Sequence, residues 1–129
     1  MVKTEEISNA LIKLLIDKQD IEKISILNNH HSMIVIVNIN TGAYTDTNKK
    51  TQAICKKTNS ELKKMTIYDT AKKGSHNEID IFLKYARKYK KVLPFRKTNY
   101  SDIDSKSSSF EFNIEGIVFE DSILLWQVC

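Results

Sequence analysis

The chain has 129 residues, 41% hydrophobic and 28% charged, with Gly 3 and Pro 1. That size and mix suit one domain with one ordinary core and exclude low-complexity and collagen-like chains. A net charge of +4 is only mildly basic, and its lysines fall in scattered pairs (Lys49-Lys50, Lys56-Lys57, Lys63-Lys64, Lys72-Lys73) that read as solvated helix faces rather than a nucleic-acid patch.

Cys55 and Cys129 make no disulfide framework and no CxxC pair, which fits a reducing compartment. Glu5 and Glu6 precede the first apolar stretch, unlike a signal peptide. The longest apolar runs, Met33–Val37 and Ile123–Trp126, are far too short to span a bilayer. The expectation is a cytoplasmic chain with no membrane segment and no nucleic-acid partner.

Thr4 to Leu27 reads as an amphipathic helix, with Ile7, Leu11, Leu14, Leu15, Ile21 and Ile24 mostly on one face and acidic residues at its positive end. Ile7, Leu14 and Ile21 are seven apart, a short heptad seam interrupted by Asp17. Such a face packs on its own domain or pairs with a second helix. Asn28–Ser32 is a polar loop, and Met33–Val37 is a short, β-branched, buried strand. Asn40-Thr41-Gly42 signals a turn into a second strand, Ala43–Thr47, and the pair makes a hairpin.

Asn48 caps a helix through Lys56, and Ser60-Glu61-Leu62 and Thr66–Thr70 give two short helical turns. After a break at Gly74, Ser75 and Glu78 form a capping box for a longer helix. Its stripe is Ile79, Phe82, Leu83, Ala86 and Tyr89, widened by Ile81, Tyr85 and Val92, and Pro94 ends it. Phe95–Tyr100 is an edge strand and Ser101–Ser109 a loop. Phe110, Phe112 and Ile114 alternate with polar residues as a half-buried strand, Gly116 marks a bulge, and Ile123–Val128 closes the set. The sum is an α+β domain: a five-stranded antiparallel sheet with helices on one face, preceded by the N-terminal helix.

The stretch Met33–Asp69 carries a resemblance. An apolar strand ends in Asn38, a Thr41-Gly42 turn follows, and a second strand ends in Asn48. A helix with Ala53 comes next, then Ser60-Glu61-Leu62 and the Ile67-Tyr68-Asp69 stretch. In this order the segment resembles a PAS domain, the sensory box of sensor histidine kinases and related signalling proteins. Lys56-Lys57 stands where the family usually has Gly-Tyr. The resemblance covers about residues 26–129 and implies a PAS-like sensor domain over 28–129, preceded by the amphipathic helix that periodicity places in residues 1–27.

Catalytic and metal motifs are absent from the sequence. There is no P-loop, GxGxxG or GxSxG. His30 and His31 are loop neighbours whose side chains diverge, and His76 opens the long helix, where its ring should face solvent. Some PAS domains hold haem through a His on that helix, but at this position haem is not expected. Flavin-binding relatives use an Asn-Cys-Arg motif, which Ile54-Cys55-Lys56 does not match, so flavin is not expected either. Cys55 reads as a buried, idle thiol, with Lys56 and Lys57 able to lower its pKa somewhat. Asp102 and Asp104 read as solvated loop carboxylates, Glu111 and Glu115 as the wet face of a strand.

The resemblance implies a pocket between the sheet and the long helix. Its expected lining is Phe82, Tyr85, Phe95, Phe112, Ile114, Leu125 and Trp126, with Tyr85 and Trp126 each offering one polar atom. The cofactor, if any, is unknown. The implied function is a non-catalytic sensory domain of a two-component or second-messenger protein. It would bind a small molecule, or relay a signal, and pass the change through a homodimeric helix to an output domain such as a kinase. The alternative is a ligand-free protein–protein interaction module that dimerises.

Overall fold

A computed structural model describes residues 32–106 and 108–128. The helix expected over 1–27, His30, His31 and Cys129 lie outside the described residues. β1 (Ile34–Asn38) and β2 (Tyr44–Thr47) form the expected hairpin. At its turn the Asn38 carboxamide oxygen accepts from the backbone N–H of Asn40 (2.8 Å) and Thr41 (3.2 Å). Gly42 takes φ +74, a conformation that residues with a Cβ rarely adopt.

Three short helices follow: α1 (Lys49–Cys55), α2 (Asn59–Leu62) and α3 (Ile67–Thr70). Thr58 with Glu61, and Thr66 with Asp69, make reciprocal capping boxes at α2 and α3. Beyond the 3₁₀ turn Lys73–Ser75 runs α4 (His76–Tyr89), then β3 (Phe95–Tyr100), β4 (Ser109–Phe119) and β5 (Ser122–Val128). The sheet is antiparallel throughout, in the order β2-β1-β5-β4-β3.

Inward residues of β1, β4 and β5 (Val37, Ile114, Ile123, Leu125) pack under the helices, which contribute Leu62, Ile67, Ile79, Phe82 and Leu83 to one core. Each fully buried large apolar side chain contributes roughly 1.5–3 kcal/mol in transfer terms. By strand alternation Ile34, Ile36, Leu124 and Trp126 take the opposite face, and none is more than 5% exposed. Burial on both faces is why β1 and the start of β5 read as continuous apolar runs rather than alternating ones.

Three local expectations are corrected. Ser75 makes no cap at α4; its hydroxyl accepts instead from the Thr98 backbone N–H at 3.1 Å, tying the turn to β3. α4 stops at Tyr89 because Lys90 adopts a left-handed φ of 56, four residues before Pro94, and Tyr89 is left exposed. Gly116 makes no bulge, since β4 pairs in register through it with Leu125. The irregularity lies in the β1–β2 pairing, where Ile36 and Val37 pair with Asp46 and Tyr44 and Thr45 is the extra residue.

Gly116 has another cause. A Cβ there would stand 2.5 Å from the Leu124 carbonyl oxygen and 2.7 Å from Leu125 Cδ2, whereas one at Gly74 meets nothing within 4 Å. Gly116→Ala should cost about 2–3 kcal/mol in urea unfolding, while Gly74→Ala stays within about 1 kcal/mol of the parent. Equal costs at the two sites contradict the close approach.

Asn48 is fully buried at the junction of β2 and α1. Its Oδ1 accepts from Ile34 N (3.1 Å), Thr51 N (3.1 Å) and Thr51 Oγ1 (2.7 Å), and its Nδ2 donates to the Ser32 carbonyl (2.8 Å). Asn48→Ala removes a helix cap and strands buried donors on two elements. The expected loss is about 2–4 kcal/mol at an unchanged denaturant m-value.

Candidate functional site

A small cavity of about 30 Å³ lies against the inner face of the sheet. Phe95, Phe112, Ile114, Leu125 and Trp126 all border it, so five of the seven residues expected at a pocket meet at one place. Trp126 borders it despite belonging by alternation to the other face of β5, and its indole N–H finds no acceptor among the described residues.

Phe82 and Tyr85 do not border the cavity. Phe82 stands behind its wall, stacked on Phe95 with ring centroids 4.6 Å apart. Tyr85 follows Phe82 by three residues, and helical rotation carries it to the flank of the stripe, where its ring packs at a tilt against Tyr89. The far wall is thus not α4. It is formed by Tyr44 from β2, Thr51 from α1 and Ile67 from α3.

One end of the cavity is polar. Lys97 and Asn99 project into it from β3, 4% and 3% exposed. The Tyr44 hydroxyl lies 2.6 Å from Thr70 Oγ1, and the Lys97 ammonium donates to that same oxygen at 3.1 Å. Thr70 in turn donates to the Ile67 carbonyl at 3.4 Å, which leaves its oxygen to accept from Tyr44 and Lys97. No ion pair neutralises Lys97 among the described residues, and Asn99 Oδ1 has no hydrogen-bond partner there.

Burial pushes Lys97 down to about 7 from its usual 10.5, and only a charged Cys55 thiolate would oppose it. Burial also drives Cys55 upward, the Lys97 charge opposing, so the thiol is neutral and supplies no counter-charge. The expected lowering by Lys56 and Lys57 is absent. Lys56 is exposed at the left-handed end of α1, and Lys57 reaches away to both carboxylate oxygens of Asp104, at 2.8 and 2.9 Å. Burial likewise raises the Tyr44 phenol well above its usual 10 despite its bond to Thr70.

Other expected surface groups are engaged elsewhere. His76 does not face solvent: its Nε2 donates to the Tyr68 carbonyl at 2.9 Å, and its ring packs edge-on against Tyr68. Asp102 is not merely solvated, since its carboxylate accepts from the backbone N–H of Asp104 (3.1 Å) and Ser105 (3.4 Å). Glu111 lies 3.7 Å from Arg96 on the outer strand pair.

Tyr44, Thr70, Lys97 and Asn99 were not expected at the site. The signal was present: Lys97 and Asn99 share the parity of Phe95, which was expected to face inward, so alternation along β3 turns them inward too.

No family model matches the sequence, and no curated protein does. Solved structures do match in fold. A PAS domain from a two-component sensor histidine kinase superposes with a TM-score of 0.70 at 12% identity, covering 87% of this chain and 96% of that one. The PAS domain of an HTR-like protein from Haloarcula marismortui gives 0.69 at 14% identity, covering 91% and 96%. A Rhodobacter sphaeroides LOV protein gives 0.70 at 12% identity, covering 87% and 66%. The chain has the PAS fold.

The buried lysine sets a pH dependence. The unfolded chain keeps the Lys97 proton up to about pH 10.5, whereas the folded chain releases it near 7. Between those values the unfolded state binds more protons, so stability climbs as pH rises and the gain is absent below about pH 7. Lys97→Met lacks this term, while Cys55 and Tyr44 remain in both chains. Urea unfolding should find the variant the more stable at about pH 6 and the wild type closing the gap by on the order of 3 kcal/mol by about pH 9.5. A gap that does not change with pH refutes the buried, uncompensated amine.

Proposed function

We propose that the chain is a sensory signalling domain that holds a small molecule in this cavity and passes the resulting change to a linked or partner output domain. The observation that carries this reading is a cavity with an apolar wall and a polar end, built on the inner face of a PAS-fold sheet. Apolar lining with a few convergent polar groups is the usual make-up of a small-molecule site. The structural neighbours include domains of sensor histidine kinases, which supports a regulatory and non-catalytic role in a two-component or similar pathway.

The segment 1–27, with its short heptad seam, is the proposed route of output, by pairing with its counterpart in a homodimer. Among the described residues no helix is long and apolar enough to cross a membrane, which is compatible with action in the cytoplasm. Native mass spectrometry of freshly purified chain, followed by amide-resolved NMR screening against a metabolite library, tests the cavity. Binding should perturb Phe112, Ile114 and Leu125 together, and Leu125→Phe, which fills the space, should abolish it. A chain that emerges empty and shows no cavity response to any library member ends this reading.

A further inference from the structure

We infer that the polar end of the cavity is an anion subsite, and that its ligand is a small organic carboxylate with an apolar body and a hydroxyl or N–H donor. The inference rests on the reading of the cavity as a ligand site and names the chemistry that the site selects.

The first observation is Lys97. A primary amine buried to 4% exposure has one protein partner, the neutral Thr70 hydroxyl, and no carboxylate within ion-pairing reach among the described residues. The groups facing it are Tyr44 and Thr70, both hydroxyls, and the protonated Cys55 thiol. None carries negative charge. Burying an ammonium without a counter-ion is costly, and a lysine at this position would be replaced by an apolar residue at a gain in stability if it did nothing else. An anion entering the cavity completes the pair and returns the proton to the amine.

The second observation is independent. Asn99, two residues along the same face of β3, presents a buried Oδ1 with no partner among the described residues to the same cavity. That oxygen accepts only, so it selects a donor on the ligand. An acceptor and a cation on the same strand face, bordering one cavity, suit the hydroxyl and carboxylate of one small acid, each held by a single hydrogen bond. The remaining wall, Phe95, Phe112, Ile114 and Leu125, suits the hydrocarbon part.

The test is an NMR titration of the full chain with butyrate, 2-hydroxybutyrate and benzoate, against butanol and butyramide as uncharged controls. At least one carboxylate should bind with the Lys97 side-chain resonance shifting to its protonated position. Lys97→Met, which should fold at least as well as the parent, should weaken that binding roughly 10–100-fold, as expected for a lost charge-assisted hydrogen bond. 2-Hydroxybutyrate should bind several-fold tighter than butyrate, and Asn99→Ala should erase that preference. Uncharged controls that bind as well as the acids, with Lys97→Met indifferent, overturn the anion subsite while leaving the cavity reading intact. If none of the five compounds binds, the carboxylate inference falls, and the library screen decides the cavity on its own.

Discussion

One buried carboxamide holds three elements in register. Asn48 caps α1 through Thr51 N, accepts from the first residue of β1 at Ile34 N, and donates back to Ser32. Its backbone N–H also donates to the Ile34 carbonyl at 3.1 Å. β1 is the strand against which both β2 and β5 pair, so fixing its start fixes the sheet on either side. The site inherits that order: Val35 and Leu125 sit opposite each other on β1 and β5, and Thr51 follows directly from the capped turn. An asparagine is suited to this because it offers acceptor and donor at once, where an aspartate would lack the donor for Ser32.

The sequence made the large elements legible through patterns that burial imposes. Phe110, Phe112 and Ile114 alternate because β4 packs on one side there, and the Met33–Val37 run does not alternate because Ile34 and Ile36 are covered as fully as Val37. Ile79, Phe82, Leu83 and Ala86 recur at helical spacing because α4 presents one face to the core. What misled was local chemistry with two uses. A serine before a helix with a glutamate three residues on is a capping signature, yet Ser75 spends its acceptor on β3. A glycine inside a strand marks either a bulge or a close approach, and at Gly116 it is the approach of Leu124.

The site was half visible for a related reason. Its apolar wall follows from strand parity, and so do Lys97 and Asn99, but a lysine and an asparagine on an edge strand resemble solvated residues unless parity is given priority over polarity. The hydroxyl chain from Tyr44 through Thr70 to Lys97 joins residues 26 and 27 positions apart, which no local pattern encodes. This polar end works against stability, since it holds an amine in a place that favours its neutral form. Sites that bind commonly carry such a conflict between local rule and environment.

β3 lies at the margin of the sheet, and its free side is tied to the rest of the chain by few links. Among the described residues the backbone links on that side are the Lys72 N–H to the Thr98 carbonyl at 2.7 Å, within an isolated bridge between Ala71 and Asn99, and the Thr98 N–H to Ser75 Oγ. β1 and β5, by contrast, are paired on both sides. A strand paired on one side opens locally at less cost than the doubly paired strands in the middle. Opening at that margin would bare Lys97 and Asn99 while leaving the paired strands β1 and β5 in place.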